Sequence, residues 1–149
     1  MASVTSESAY RDAQSQNDIS RNMRQYRDLD LFFAKKQGSD DISKITDVEA
    51  VKRSIRNLVQ LNVYDKPFHP EVSGGVREML FEPMSPVTAV VIARKIEDVI
   101  TNFEPRARLV SVRTFPDFDR NAYEVSVEFY IVNAPTEIVD LSIMLERLR

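Results

Sequence analysis

The chain has 149 residues, a length that suits one domain, and its hydrophobic fraction of 43% is enough to build a core. Its 20 basic and 23 acidic residues leave a net charge of −3, so no strong field indicates bulk binding of nucleic acid. No cysteine is present, which excludes disulfides and thiolate chemistry, and no apolar run is long enough to predict a transmembrane helix.

The composition also argues against the common catalytic and cofactor sites. The one histidine, His69, excludes zinc motifs that need two histidines, and it lies among prolines with no nucleophile elbow nearby. Three glycines in the whole chain argue against a nucleotide-binding loop of the usual type. We therefore interpret His69 as an ordinary loop residue and predict no catalytic residue, no cofactor and no metal.

The chain opens with a polar stretch that cannot bury much surface. Residues 1–22 are rich in Ser, Gln, Asn and Asp, which predicts a flexible arm and leaves residues 23–149 as a single domain. Residues 26–36 alternate between apolar and polar at their start, which predicts a short strand or an extended segment lying on the core. Residues 38–41, Gly-Ser-Asp-Asp, predict a turn.

The first clear helix follows this turn. Thr46 and Glu49 have the spacing of a capping box, in which the hydroxyl and the carboxylate each accept from a backbone amide of the first turn. Basic side chains occupy one side of the helix, and they predict either an acidic neighbour or, as we favour, a solvated face. The apolar positions that recur at helical spacing are Val48, Val51, Ile55, Leu58 and Val59.

A second, longer helix is predicted at residues 86–103, after a loop at 64–75 and a short helix at 75–82. Ser85 suits the N-cap and Pro86 suits the first helical position. One face is apolar throughout, and three valines add apolar surface outside it, so the first two turns must be covered by the domain, as we favour, or by a partner. The face residues are Ala89, Ile92, Ala93, Ile96, Val99, Ile100 and Phe103, and the valines are Val87, Val90 and Val91.

The end of this helix carries an unusual charge. Pro105 disfavours helical backbone at Glu104, so the helix must end there. The Glu104 carboxylate then faces the negative end of the helix dipole and needs a compensating cation. Arg106 or Arg108 can supply it, which predicts a functional or structural pairing.

Strand patterns fill the rest of the chain. Residues 107–115 and 122–133 predict an antiparallel hairpin with a turn at 116–121, and residues 139–149 predict a third strand after a turn at 133–137, with a helix as the alternative. The fold class is therefore α+β, with two main helices packed on one face of a small antiparallel sheet. Such a sheet has two edges, which either accept a strand from another chain or are covered by residues 26–36.

Three stretches, taken in order, resemble the sheath-initiator or baseplate wedge family of contractile phage tails, whose relatives also sit in type VI secretion baseplates. The stretches are KPFHPEVSGGVREML, LFEPMSPVTA and NFEPRARL, and the resemblance covers about residues 45–149. The residues that carry it are Pro67, Phe68, Pro70, Gly74, Leu80, Phe81, Ser85, Pro86, Glu104, Pro105 and Arg106.

This resemblance implies a structural protein of the virion's tail baseplate, made in the host cytoplasm. Glu104, Pro105 and Arg106 would dock the domain on a helical bundle of other wedge proteins, so Arg106→Ala would leave the melting temperature nearly unchanged. The hairpin at about 107–133 would pair with the tail sheath protein and template the first sheath ring. Its pairing residues would be Val110, Val112, Tyr123, Val125, Val127 and Phe129.

The resemblance also implies a setting for the protein. We expect a monomer in isolation, a hexameric arrangement in the particle, the tail tube or hub periphery as a further neighbour, and no nucleic acid or membrane partner.

An enzymatic alternative comes from the lysozyme-like label that this family has also carried. Glycoside hydrolysis needs two carboxylates, one of them with a raised pKa. Glu71, Glu82 or Asp98 would have to act beside Glu104. Because Arg106 and Arg108 are close in sequence and nearby cations lower a carboxylate pKa, we favour a non-enzymatic protein.

Overall fold

The structure is a computed structural model that describes residues 26–36, 38, 41–132 and 134–147. The predicted arm at residues 1–22 lies outside the described residues. No helix in the described part is long and apolar enough to cross a membrane.

The first described elements form a small hairpin of their own. Strand β1 (Arg27–Leu29) pairs antiparallel with β2 (Lys44–Thr46), and the two make a separate two-stranded sheet. We call residues 26–46 the N-terminal hairpin. The expectation of a short strand in residues 26–36 is confirmed, but the alternative in which this segment covers an edge of the main sheet is wrong, because its strand pairs with residues 44–46 instead.

Helix α1 (Asp47–Gln60) begins where the sequence predicts, but the predicted capping box does not form. The Thr46 side chain makes no capping hydrogen bond. Instead, the Asp47 amide donates to the Tyr26 carbonyl at 2.8 Å, and the Asp47 carboxylate accepts from the Tyr26 amide at 3.2 Å. The start of α1 is therefore held by the N-terminal hairpin rather than by its own first turn.

One basic residue of α1 also pairs with this hairpin. Arg53 forms an ion pair with Asp30, and its guanidinium lies 4.8 Å from the centre of the Phe32 ring. The favoured prediction of a solvated basic face is thus wrong at Arg53, where the acidic neighbour is present.

The short helix α2 (Val76–Met79) and the long helix α3 (Pro86–Phe103) follow. The predicted start of α3 is confirmed, because the Ser85 hydroxyl accepts from the Thr88 amide at 3.1 Å and Pro86 takes the first position. The loop before α2 packs closely on α3, since a Cβ added at Gly74 would lie 2.8 Å from Cγ2 of Val99. A glycine is therefore needed at this contact.

The described residues leave the first turns of α3 exposed. Val87 is 74% exposed, Val90 53% and Val91 38%, whereas the opposite face of the helix is buried. The described residues therefore do not provide the coverage by the domain that we favoured, and coverage by a partner is the other alternative.

A three-stranded antiparallel sheet completes the domain, with β4 (Ala122–Ile131) between β3 (Ala107–Asp117) and β5 (Ala134–Glu146). The prediction that the last segment is a strand is confirmed. The predicted turn at 133–137 is wrong, because β5 already begins at Ala134, where a register shift lets Ile131 pair with Ala134.

The core fills the space between the inner face of this sheet and the helices, which confirms the α+β class. The central strand alternates cleanly, so its inward side chains are fully buried while the intervening ones face away from the core. The buried side chains come from α1, α2, α3, β4 and β5 and include Val51, Ile55, Val76, Ile92, Ile96, Ile100, Tyr123, Val125, Val127, Phe129, Leu141, Ile143 and Leu145.

Truncation at the centre of α3 tests this packing. Ile96→Ala should lower the free energy of unfolding by about 2–5 kcal/mol, because Ile96 is fully buried and the change leaves a cavity. The matched change Val90→Ala on the exposed face should alter it by less than about 0.5 kcal/mol. Urea denaturation measures the unfolding free energy of both variants. Equal losses in the two would contradict the assignment of the buried and exposed faces of α3.

Candidate functional site

The residue that ends α3 is a buried carboxylate. Glu104 caps the helix, its amide donates to the Ile100 carbonyl at 3.0 Å, and its residue surface is only 2% exposed. The prediction that the helix ends here is confirmed. A buried charge is costly unless it is paired, so the surroundings of Glu104 decide what this stretch can do.

Arg106 supplies that pairing. Its Nε donates to Oε1 of Glu104 at 2.7 Å and its Nη2 donates to Oε2 at 2.9 Å, which is the strong two-bond geometry of an arginine and a carboxylate. The Arg106 amide also donates to Oε1 at 3.3 Å. Arg106, rather than Arg108, is therefore the compensating cation.

The same guanidinium reaches the N-terminal hairpin. Nη1 of Arg106 donates to both carboxylate oxygens of Asp28, at 3.1 and 3.2 Å, and the guanidinium lies 5.7 Å from the centre of the Tyr26 ring. We call Asp28, Glu104 and Arg106 the clamp. It joins the exit of α3 to β1, two elements 78 residues apart along the chain.

Opposing influences act on the Glu104 carboxyl. Burial raises its pKa, but hydrogen bonds from Arg106 and from Ser54 of α1, together with the positive charge of Arg106, outweigh burial and lower the pKa below its ordinary value. The pKa of Arg106 is raised, chiefly by its hydrogen bond to Glu104. Both groups are therefore charged at neutral pH, which is the opposite of what a general acid at Glu104 needs.

The other carboxylates weighed for hydrolysis lie on the surface. Glu82 and Asp98 are exposed, in the loop before α3 and on its outer face. Glu71 is exposed too, and its Oε1 lies 3.0 Å from Nδ1 of His69 in the 64–75 loop. The pKa of Glu71 is lowered, first by its own backbone amide and then by His69. Among the described residues, no group of histidine and acidic side chains has the arrangement of a metal site.

The predicted docking residues have unequal access to a partner. The Glu104 carboxylate is occupied inside the domain and Arg106 is half-buried in the clamp, whereas Pro105 between them is exposed. Docking through this stretch stays a prediction, and it requires contact with Pro105 and the outer side of Arg106 rather than with a free Glu104.

The sequence stretch KPFHPEVSGGVREML divides into packed and exposed positions. Gly74 lies against α3 and Leu80 is buried, but Phe68 is 97% exposed at the tip of the loop. Phe81 is exposed as well, as are Pro67 and Pro70.

The predicted sheath-pairing residues fall mostly inside the domain. The four on β4 are fully buried, and β4 is paired on both sides, so its backbone is not available to another chain. Val112 is half-buried, and Val110 is exposed at a bulge in β3. In the described residues the outer edges of β3 and β5 are the unpaired ones. The predicted sheath-pairing residues include none on β5, although the alternation through Leu141, Ile143 and Leu145 predicts a strand there.

Comparison with known proteins decides the family. Residues 46–136 match the model of a family described as baseplate wedge protein gp25. The chain belongs to this baseplate wedge family. Membership confirms the resemblance found in the sequence and makes the protein a structural component of the contractile-tail baseplate in the virion.

Individual relatives agree with this assignment. Baseplate wedge protein gp25 of Enterobacteria phage T4 is 28% identical over 120 residues, which cover 80% of this chain and 90% of the phage T4 protein. A cryo-EM structure of the anti-feeding prophage baseplate contains a chain with a TM-score of 0.58 and 19% identity, covering 84% of this chain and 88% of that one.

A further solved structure shares the fold. It is the crystal structure of a Geobacter sulfurreducens protein whose description proposes a tail lysozyme, with a TM-score of 0.62 and 19% identity, covering 68% of this chain and 91% of that one. At these identities the two solved structures show the fold alone.

The clamp changes what we expect of Arg106→Ala in this wedge family member, because the sequence alone predicts a nearly unchanged melting temperature. The change should lower the free energy of unfolding by about 3 kcal/mol, because it leaves the buried Glu104 carboxylate without its counter-ion. The matched change Arg113→Ala, at an exposed position of β3, should cost less than about 0.5 kcal/mol. Equal denaturation midpoints for both variants would show that the clamp does not stabilise the fold.

The lowered pKa of Glu104 predicts a pH dependence. Its folded pKa lies below the ordinary value of 4.5, so its contribution is fully present above that pH and is lost as the pH falls through the folded pKa. The stability difference between the wild type and Glu104→Gln should therefore be constant near neutral pH and shrink below about 4.5. Denaturation curves between pH 7 and pH 3 measure this difference, and a gap that widens in acid would contradict the prediction.

Proposed function

We propose that this wedge protein is a non-enzymatic assembly component with two binding surfaces. One surface docks on the helices of other wedge proteins, and the other pairs with the tail sheath protein by strand addition and so starts the first sheath ring. The observation that carries the proposal is the three-stranded sheet, whose inner face is filled by the helices while both outer edges are unpaired in the described residues.

Unpaired edges suit the proposed sheath contact. An edge strand presents free backbone N–H and C=O groups, and a strand from another chain can bind them while its alternating side chains set the register. Such a template suits the first sheath ring, which must begin at a defined place. Each backbone hydrogen bond adds affinity only when the incoming strand is in register.

The exposed valines of α3 suit the proposed wedge contact. Val87, Val90 and Val91 lie on the solvent side of the first turns, and a partner helix with an apolar face would remove them from water. Pro105 lies beyond the other end of α3, about 27 Å away along an 18-residue helix. A helix running along α3 would reach both the valines and the predicted docking stretch.

The charge of Glu104 favours an assembly role over glycoside hydrolysis. A hydrolase of this kind needs a protonated acid, and Arg106 holds the Glu104 carboxylate in its charged form. The relative in phage T4 is described as a wedge protein. The Geobacter sulfurreducens protein whose description proposes a tail lysozyme shares only the fold with this chain. The tail tube or hub periphery and a hexameric setting belong to the proposal as further neighbours.

Site-specific cross-linking tests both halves of this proposal at once. The chain has no cysteine, so single cysteines can carry a photo-activated cross-linker without competing thiols. Val90→Cys reports on α3, Arg113→Cys reports on β3, and Ser142→Cys reports on β5. Arg113 and Ser142 flank Ser126 in one row across the sheet, so the two edges are sampled at equivalent positions.

Baseplates assembled with each labelled protein should give distinct products. We expect the Val90 probe to capture a wedge protein and at least one of the two strand probes to capture the sheath protein. Glu49→Cys, on the exposed side of α1, is the control and should capture neither. Absence of a sheath product from both strand probes would contradict the sheath role, and absence of a wedge product at Val90 would contradict docking through α3.

A further inference from the structure

The two edges of the sheet differ in how they are built, and the β3 edge is the less suitable template. The register between β3 and β4 shifts between Leu109 and Ser111, which leaves Val110 at a bulge. Arg108 and Arg113 are exposed on the same strand. Bulges and exposed charges of this kind interrupt a ladder and discourage the addition of another strand.

The β5 edge has no register shift along its regular part. From Ile138 to Glu146 each residue pairs in order with β4 without a shift in register. Nine residues of strand span about 30 Å. The segment reads IVDLSIMLE and contains no lysine, arginine or proline. It therefore presents a long, straight row of backbone groups to an incoming strand.

The outer face beside this edge carries one sign of charge. Glu124 and Glu128 on β4 and Asp140 and Glu146 on β5 point away from the core, and neither strand contains a lysine or arginine. Glu128 and Asp140 are direct cross-strand partners, and like charges in that position are destabilising.

Two serine hydroxyls bond directly to these carboxylates, while Arg108 and Arg113 lie on the outer side of β3, across β4 from the β5 edge. Ser111 donates to Glu128 at 2.8 Å and Ser126 donates to Asp140 at 3.0 Å. These bonds leave the negative charge in place. A strand added to β5 with lysine or arginine on its outward side would supply cations on the side of these carboxylates away from β3.

The inner side of the same edge has a cleft with a mixed apolar and polar lining. A cavity of about 340 Å³ lies between the end of β5 and the helices α1 and α2. Val59, Val76, Leu80 and Leu145 supply the apolar part of its lining, and Gln60, Arg77, Met144 and Glu146 complete it. A strand added to β5 would direct its inward side chains towards this space, which is large enough for a bulky apolar group.

We propose that the outer edge of β5, residues 138–146, binds an extended segment of the partner that alternates basic and apolar side chains. Its lysine or arginine side chains lie over the carboxylates of the outer face, and one large apolar side chain enters the cleft beside Leu145. This inference rests on the proposed strand addition, and it assigns the edge and the chemistry of the incoming strand.

Two synthetic nine-residue peptides test this assignment on the full chain. One alternates lysine with valine and leucine, and the other has glutamate in place of each lysine. Fluorescence anisotropy should show the lysine peptide binding at least about tenfold more tightly, since each opposite-charge pair across strands contributes modestly and each like-charge pair opposes binding. Equal affinity for the two peptides would overturn the proposed chemistry.

Paired variants locate the binding edge. Asp140→Lys with Glu146→Lys should abolish the preference for lysine, and Gln60→Trp should weaken binding by filling the cleft. Arg108→Glu with Arg113→Glu is the matched control on β3 and should leave both affinities unchanged. Loss of binding in the β3 variant, with none in the β5 variant, would overturn the assignment. Melting curves confirm that each variant is folded.

The cross-linking products separate this inference from the function on which it rests. Capture of the sheath protein at Ser142 and not at Arg113 supports both. Capture at Arg113 alone leaves the sheath role standing and overturns the choice of β5. If the lysine peptide binds as expected while neither probe captures sheath protein, the β5 assignment is supported and the sheath role fails.

Discussion

The buried ion pair of Glu104 and Arg106 is the constraint on which the rest of the domain depends. Pro105 forces α3 to end, and the end of a helix is a poor place for a carboxylate unless a cation stands beside it. Arg106 meets that need with two hydrogen bonds and uses its remaining donors on Asp28. Pro105 therefore sets where α3 stops, and Arg106 joins that end to the start of β3 and to the N-terminal hairpin.

The central and outer strands of the sheet differ in what they contribute to stability and in what they leave available for binding. The inward side chains of the central strand β4 are buried in the core, and its backbone is hydrogen-bonded to β3 and β5. Its backbone groups are therefore not available to a partner. β5 buries its inward side chains and β3 half-buries its own, and within the described residues each keeps one side of its backbone unpaired. A change on β4 will therefore act on folding first, whereas a change on the exposed face of β3 or β5 can act on assembly alone.

Features set by neighbours in sequence were predictable, and those set by distant contacts were not. Ser85 and Pro86 define a helix start by themselves, and the structure agrees. Thr46 failed as a capping residue because Asp47 bonds with Tyr26, 21 residues away. The cation beside Glu104 could be narrowed to Arg106 or Arg108 from spacing, but Asp28 could not be predicted as a second partner of Arg106. The apolar pattern of Val87 and Val90 is that of a buried face, but the described residues leave both side chains exposed.

The carboxylates along β5 also affect whether two copies of the protein can associate with each other. Two copies that met edge to edge through β5 would bring Asp140 and Glu146 of one chain against the same residues of the other, with Glu124 and Glu128 close behind. Such a pair would concentrate eight negative charges on one face without a lysine or arginine in the four strands involved. The acidic edge thus discourages premature stacking of free subunits, and the fold can keep an open strand without becoming a seed for its own aggregation.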